Sequence, residues 1–244
     1  MILSPAMPLH LDIPLLRAAA WFGEDPGDPA LAPGADGFLD LAWGEPDVAF
    51  VDRLQRRRLS PLARAFFHCA RRAAPPEQTR VVFASRHGEA ERTLAVLQDL
   101  AQEAEVSPTL FSMSVHNAVP GLWSILGGNR ASAGAVAAGP ETFAWGLADA
   151  LALYRADPSG PVLYGYAEDR LPDPWAEQAP RGLLHAVVLL VGEPAGRHLA
   201  MVREPGPAAP EPAVPQSLHC LRALRAGPDA AWDGPGGRWR WQFA

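Results

Sequence analysis

Lysine is absent from all 244 residues, so each of the 21 basic side chains is an arginine. That excludes Schiff-base chemistry and the phosphate-binding lysine of P-loops, and with the excess of alanine and proline it reflects a compositional bias of the source. Cysteine is nearly as scarce. Cys69 and Cys220 each follow a histidine but have no second cysteine at metal-ligand spacing, so neither a metal site nor a structural disulfide is expected. No apolar run approaches the roughly 18 to 20 residues that cross a bilayer, and no basic segment followed by an apolar core opens the chain. A cytoplasmic protein without a membrane span is the expectation. The net charge of -6 counts against a nucleic-acid partner, which demands a basic face. Nothing in the sequence implies a cofactor.

What is present suffices for a core, since 48% of the residues are apolar. The 26 prolines and 22 glycines gather before Asp52 and after Val191, which implies irregular flanks around a regular centre. Strand signals occur at 10–13 and 17–22, followed by an irregular loop through Asp36. Leu59, Leu62, Phe66, Cys69 and Ala70 recur at helical spacing behind Ser60 as N-cap and Pro61 at the first helical position. Val81 to Ala84 reads as a strand, and 90–104 as a helix burying Leu94, Leu97, Leu100 and Ala101. A helix from Thr142 to about Arg155 precedes strands at 162–166 and 184–191, the second apolar almost throughout and hence central, with 198–202 beside it. Alternating strands and helices point to an α/β layered domain with a mixed sheet over 1–204. Residues 205–244 are expected as a proline-rich linker and a tryptophan-rich tail docking back on it.

Residues 107–150 read as a polar loop, a short helix, a small-residue strand, a sharp turn and a helix, the layout that presents a nucleophile in many α/β enzymes. Where cysteine or serine belongs, between Ala138 and Thr142, stand Gly139, Pro140 and Glu141. His116 and Asn117, with Ser112 and Ser114 nearby, offer a base, an oxyanion donor and nucleophiles for an acyltransferase or hydrolase that could also draw on Glu141. The structural alternative makes Asn117 a helix N-cap, sets Ser114 and His116 to holding loop backbone, and uses Gly121 for close helix packing.

Arg86-His87-Gly88-Glu89 after a strand resembles the histidine phosphatases, but over four residues only and far from the chain start. The plainer reading is a strand-to-helix turn in which Gly88 permits a tight bend and Glu89 favours the next helix N-terminus. Cys69 lies on an apolar helix stripe and reads as a small hydrophobe. Seven arginines between Arg53 and Arg72 form either a solvated helix face or a docking patch for an acidic partner, with Arg56, Arg57, Arg58 and Arg64 as candidates.

The pattern S-P-T-x-F-S-x-S-V-H-N-A-x-x-G-x-x-S-I from Ser107, then A-A-G-x-E-T-F-x-x-G-L-x-x-A from Ala137, resembles the short β-ketoacyl synthase-like chain length factors of aryl polyene and related polyketide pigment pathways. R-R-R-L-S-P-L-A-R (Arg56 to Arg64) and S-R-H-G-E (Ser85 to Glu89) fit the same family. The resemblance implies half of a thiolase-like fold without the half that carries the catalytic histidines. It places Pro140, plus or minus one residue, where true ketosynthases carry the nucleophilic cysteine. It further implies a non-catalytic subunit that pairs with a catalytic ketosynthase through about Ala133 to Ala138, Val136 included, and serves an acyl carrier protein. The helix around 116–126 would then lie by the partner's acyl tunnel, with Leu122, Trp123 and Leu126 setting its depth.

Overall fold

The computed structural model describes residues 7–178, 183–193, 196–207, 209–227 and 230–244. The chain opens with β1 (Leu9–Phe22), one strand of 14 residues where two short ones were expected. Its first half pairs with β8 (His198–Glu204), and its second half pairs on that same side with β3 (Leu39–Trp43), itself joined to β2 (Gly34–Ala35). A one-turn helix α1 (Arg53–Arg56) leads into α2 (Pro61–Ala73). Its N-terminus is built as the sequence dictates: Ser60 Oγ accepts from the Ala63 N–H at 3.0 Å, and Pro61 follows.

β4 (Arg80–Ala84), α3 (Ala90–Ala101), α4 (Pro108–Ser114), α5 (Ala118–Gly127), β5 (Ala133–Val136), α6 (Thr142–Ala156), β6 (Val162–Glu168) and β7 (His185–Val191) follow in order. After β8 come α7 (Gln216–Ala226) and the hairpin β9 (Ala230–Gly234) and β10 (Gly237–Phe243). The sheet runs β5-β4-β6-β7-β1-β8-β10-β9, with β5, β4 and β6 parallel and β7 antiparallel to β6 and to β1. β7 is central, as its unbroken apolar run requires, but β1 separates it from β8, which was expected beside it.

Period-2 alternation divides the core between the two faces of this sheet. Phe83, Leu163 and Val188 point to α2 and α5, whereas Val82, Tyr164 and Leu189 point to α6 and α7. The expected α/β layering therefore holds, as helix, sheet and helix. Packing at the centre leaves no slack: a Cβ on Gly165 would overlap the ring of Phe66, which itself stacks edge-on against Phe83 and Trp123. The last residues are strands of the same sheet, with Trp232, Trp239 and Trp241 buried, and α7 is an element that the proline-rich composition concealed.

Three local expectations fail for physical reasons. Residues 107–117 are mostly helix rather than loop, since Ser107 caps Pro108 at a helical first position and Ser112 and Ser114 turn their hydroxyls onto the Thr109 and Phe111 carbonyls. The periodicity of α3 is real, but it packs principally on α4, and among its apolar residues only Val96 is buried. Gly121 serves no close approach, because nothing lies within 4 Å of a Cβ built there. No helix among the described residues is long and apolar enough to cross a membrane.

The two glycines yield opposite predictions. Gly165→Ala displaces Phe66 and costs on the order of 1–3 kcal/mol of overpacking, whereas Gly121→Ala within α5 is expected to gain about 0.5–1 kcal/mol of helix propensity. Urea denaturation of the two variants checks both signs.

Candidate functional site

Parallel strands β4, β5 and β6 end side by side; the chain leaves β4 for β5 on one side and leaves β6 for β7 on the other, the arrangement that opens a crevice at the C-terminal edge. Two loops meet there: 85–89 after β4 and 137–141 after β5. The second is the expected nucleophile turn. Gly139 takes φ 58°, Ala138 N–H donates to Thr142 Oγ1 at 2.8 Å, and Thr142 Oγ1 donates to the Gly139 carbonyl at 2.6 Å. Pro140 offers neither a nucleophile nor an N–H. Glu141 is buried, and its Oε2 accepts from Trp145 Nε1 at 3.0 Å and faces Arg203 Nε at 3.4 Å. The Arg203 guanidinium lies 5.6 Å from the centroid of Trp145 and 5.7 Å from that of Trp239, and it donates to the Gly236 carbonyl. A side chain on Gly236 would overlap the Glu141 carboxylate.

The N-terminus of α6 is also occupied. Ala144 N–H, which would lend its dipole to an anion, donates instead to Gln216 Oε1 of α7 at 2.9 Å. The 139–141 turn therefore presents neither cysteine nor serine, and its carboxylate and helix N-terminus are engaged by side chains of β8 and α7.

Ser114 and His116 are not brought together for catalysis. His116 Nε2 donates to the Val136 carbonyl at 3.2 Å, and its other nitrogen faces Gly88, where a Cβ would come within 2.8 Å. His116 thus joins the 85–89 loop to the end of β5. Asn117 stands at the N-cap of α5 without a side-chain cap bond. In the 85–89 loop, Gly88 at φ 57° donates its N–H to Ser85 Oγ at 2.9 Å, the tight bend read from the sequence. Glu89 occupies the N-cap position of α3, but its carboxylate does not cap the helix and accepts instead from Ser60 Oγ at 2.6 Å. His87 is held near pKa 4 by burial and then by the Arg86 charge, which keeps the ring neutral. His185, the other histidine a phosphatase would need, bonds Leu183 O and Ser217 Oγ instead.

The sequence-derived interface residues divide sharply. Ala133, Gly134, Ala135 and Ala138 are exposed, and β5 is the edge strand, paired among the described residues with β4 alone. Val81 N–H donates to Ser132 O and Ser85 N–H to Val136 O, so strand alternation turns the N–H and C=O of Ala133 and Ala135 toward the open edge. Leu122, by contrast, is buried in the core under α2 and lines no surface. Trp123 meets Phe66 and Phe67 edge to face at 5.8 and 5.1 Å, and with Leu126 it borders a cavity of about 580 Å3. Arg56 and Arg64 are engaged with backbone carbonyls, whereas Arg57 and Arg58 project from the surface. Sequence reasoning missed an apolar surface: Leu97 at 47%, Leu100 at 58% and Phe111 at 58% exposure, followed by exposed Val115. The signal was there in the stripe of α3, but it was assigned to the core.

Glu168 at the end of β6 accepts the Arg86 N–H at 2.7 Å, yet desolvation pushes its pKa up to about 7. A carboxyl whose pKa rises on folding stabilises fully below its unfolded value and loses that contribution as pH climbs through the folded one. Wild-type stability is therefore expected to fall between about pH 4.5 and 8 through this group, and Glu168→Gln to remove that part of the fall. Denaturation midpoints across this range decide it.

The profile of the family described as β-ketoacyl synthase, N-terminal domain, matches residues 38–242. No curated protein matches the chain. Among solved structures, a chain of the ketosynthase (ApeO) in complex with its chain length factor (ApeC) from Xenorhabdus doucetiae aligns at TM-score 0.74 and 28% identity, over 95% of this chain and 99% of that one. The ishigamide ketosynthase/chain length factor aligns at 0.52 and 17%, over 62% of this chain and 50% of that one. A β-ketoacyl synthase from Burkholderia phymatum STM815 aligns at 0.51 and 12%, over 73% of this chain and 55% of that one. The last two share the fold alone, and the chain spans about half their length. The chain belongs to the β-ketoacyl synthase family as an N-terminal domain, half of a thiolase-like fold.

Proposed function

We propose that this chain is a non-catalytic, chain-length-factor-type subunit that pairs along β5 with a catalytic ketosynthase, stabilises it and limits the length of the acyl product. The observation that carries the reading is the 137–141 turn, which keeps the strand, bend and helix of a condensing enzyme while its nucleophile position is Pro140 and its helix N-terminus is capped by Gln216. Decarboxylative condensation needs a thiolate and partners to receive the developing charge, and this edge has neither. A stand-alone acyltransferase or hydrolase would need Ser114, His116 or Glu141, and each of them is bonded into the fold.

Two features support pairing. The open edge of β5 presents unpaired backbone groups, which small side chains leave accessible. The apolar residues of α3 and α4 stand exposed, and His116, two residues beyond α4, bonds the end of β5; the exposed residues form a face of the kind that protein interfaces cover. The 28% identical chain that matches nearly end to end comes from a ketosynthase complex with its chain length factor. An acyl carrier protein, acidic in its docking chemistry, would be met by Arg57 and Arg58, the members of the candidate patch left unbonded among the described residues.

Chain-length control places apolar side chains at the end of the partner's tunnel, where each added two-carbon unit must find volume. Phe111, on the exposed face, and Trp123, at the cavity wall, are the side chains proposed for this role.

Co-expression with a ketosynthase encoded nearby is expected to give a complex that co-purifies. Ala135→Pro, which removes an N–H from the open edge and none from the β4 ladder, is expected to abolish co-purification while leaving the isolated chain within about 1 kcal/mol of wild-type stability. Persistence of the complex would sink edge pairing. In an assembled, active complex, Phe111→Ala and Trp123→Ala are expected to shift products toward longer chains by mass spectrometry; a distribution unchanged in both removes these residues from length control.

A further inference from the structure

The cavity of about 580 Å3 lies at the N-terminal ends of β4 and β5, away from the 137–141 turn. It exists because α2 and α5 both stop there. Ala74 at φ 48° and Gly128 at φ 64° end the two helices in left-handed conformation, and Pro75 and Pro76 carry the chain away along the rim. Phe67, Trp123 and Leu126 form apolar walls, and Phe50, 44% exposed, and Ile125, 76% exposed, stand at the mouth. Such a volume is that of small-molecule sites, which run about 300–1,000 Å3, and Asp52, Gln55, Arg71, Glu77 and Asn129 bring polar groups to its lining.

Charged groups of both signs stand at the mouth. Arg71 holds its guanidinium 5.6 Å over the Phe50 ring, and no carboxylate among the described residues pairs with it. The Arg56 guanidinium lies close by on the Val51 carbonyl. Of the two acidic residues at the rim, Asp52 engages Oδ1 with the Leu54 N–H as the cap of α1, and Glu77 is exposed. A planar guanidinium with free N–H groups is suited to a carboxylate, and three aromatic rings are suited to a flat unsaturated body.

We propose that this cavity binds an amphiphilic carboxylate with a flat, unsaturated apolar body, the body lying among Phe50, Phe67 and Trp123 and the carboxylate meeting Arg71. The lining residues all belong to this chain, so binding to the isolated chain is tested separately from pairing with a ketosynthase, and Trp123 is shared with the proposed length control.

The test is fluorescence titration of the purified full chain with cis-parinaric acid, a conjugated polyene carboxylate, and with its methyl ester. Wild type is expected to bind both saturably, one equivalent each. Arg71→Gln is expected to weaken the acid about tenfold, the loss of one charge-assisted contact, and to leave the ester unchanged. Ile125→Glu, at a position too exposed to threaten folding, is expected to weaken both. Absence of saturable binding to wild type overturns the site, and so does binding that neither substitution alters. Equal weakening of acid and ester by Arg71→Gln overturns carboxylate recognition. A chain that ignores both probes but loses a co-expressed protein partner on Ile125→Glu holds a protein in this groove, and the small-ligand proposal fails.

Discussion

A sheet that is apolar on both faces must be covered twice, and the rest of this structure follows from that requirement. β7 is buried at every position, and leaving large side chains of such a strand in water would cost about 1.5–3 kcal/mol each. α2 and α5 cover one face. α6 covers part of the other, and the chain returns after β8 to supply α7 over the remainder and the β9-β10 hairpin, which extends the sheet and adds three buried tryptophans to that side of the core. His185 shows how tightly this cover is fastened: burial holds its pKa near 4, so the neutral ring donates from Nδ1 to Leu183 O and accepts at Nε2 from Ser217 at the start of α7.

Closure of the turn comes with that cover. The elements that shield the α6 face also bring Gln216 to the helix N-terminus and Gly236 to the Glu141 carboxylate, with Arg203 of β8 between them. A helix N-terminus in a condensing enzyme is kept for charge that develops during reaction, and here it is engaged in holding the fold. His116 shows the same redirection. The residue type suits a base, but its Nε2 is bonded to the Val136 carbonyl and its ring packs against Gly88.

Much of the fold was legible in the sequence wherever local chemistry and tertiary packing agree. Ser60 and Pro61 started α2, the apolar run of β7 marked a central strand, and Gly88 bent the chain where expected. Periodicity failed where it could not say what covers an apolar stripe: α3 has the spacing of a core helix but an outward-facing position. Proline content hid α7, because Pro215 stands immediately before its first turn, where proline is tolerated, rather than inside it. At the site, the lack of cysteine and serine at 139–141 was readable, whereas the contacts that close the turn come from residues more than 60 positions away and leave no local pattern. Leu122 was misread for a related reason, since sequence spacing cannot tell which side of α5 faces α2.

The composition of β5 carries one more consequence. A ladder of Ala133, Gly134, Ala135 and Val136 has almost no side-chain relief, so as a bare edge it would accept many strands in several registers. Backbone pairing along it is adhesive but undiscriminating. Under the proposed pairing, choice of mate falls to surfaces beyond the strand, such as the exposed residues on α3 and α4, and drift of those side chains would change which partner is accepted without altering β5.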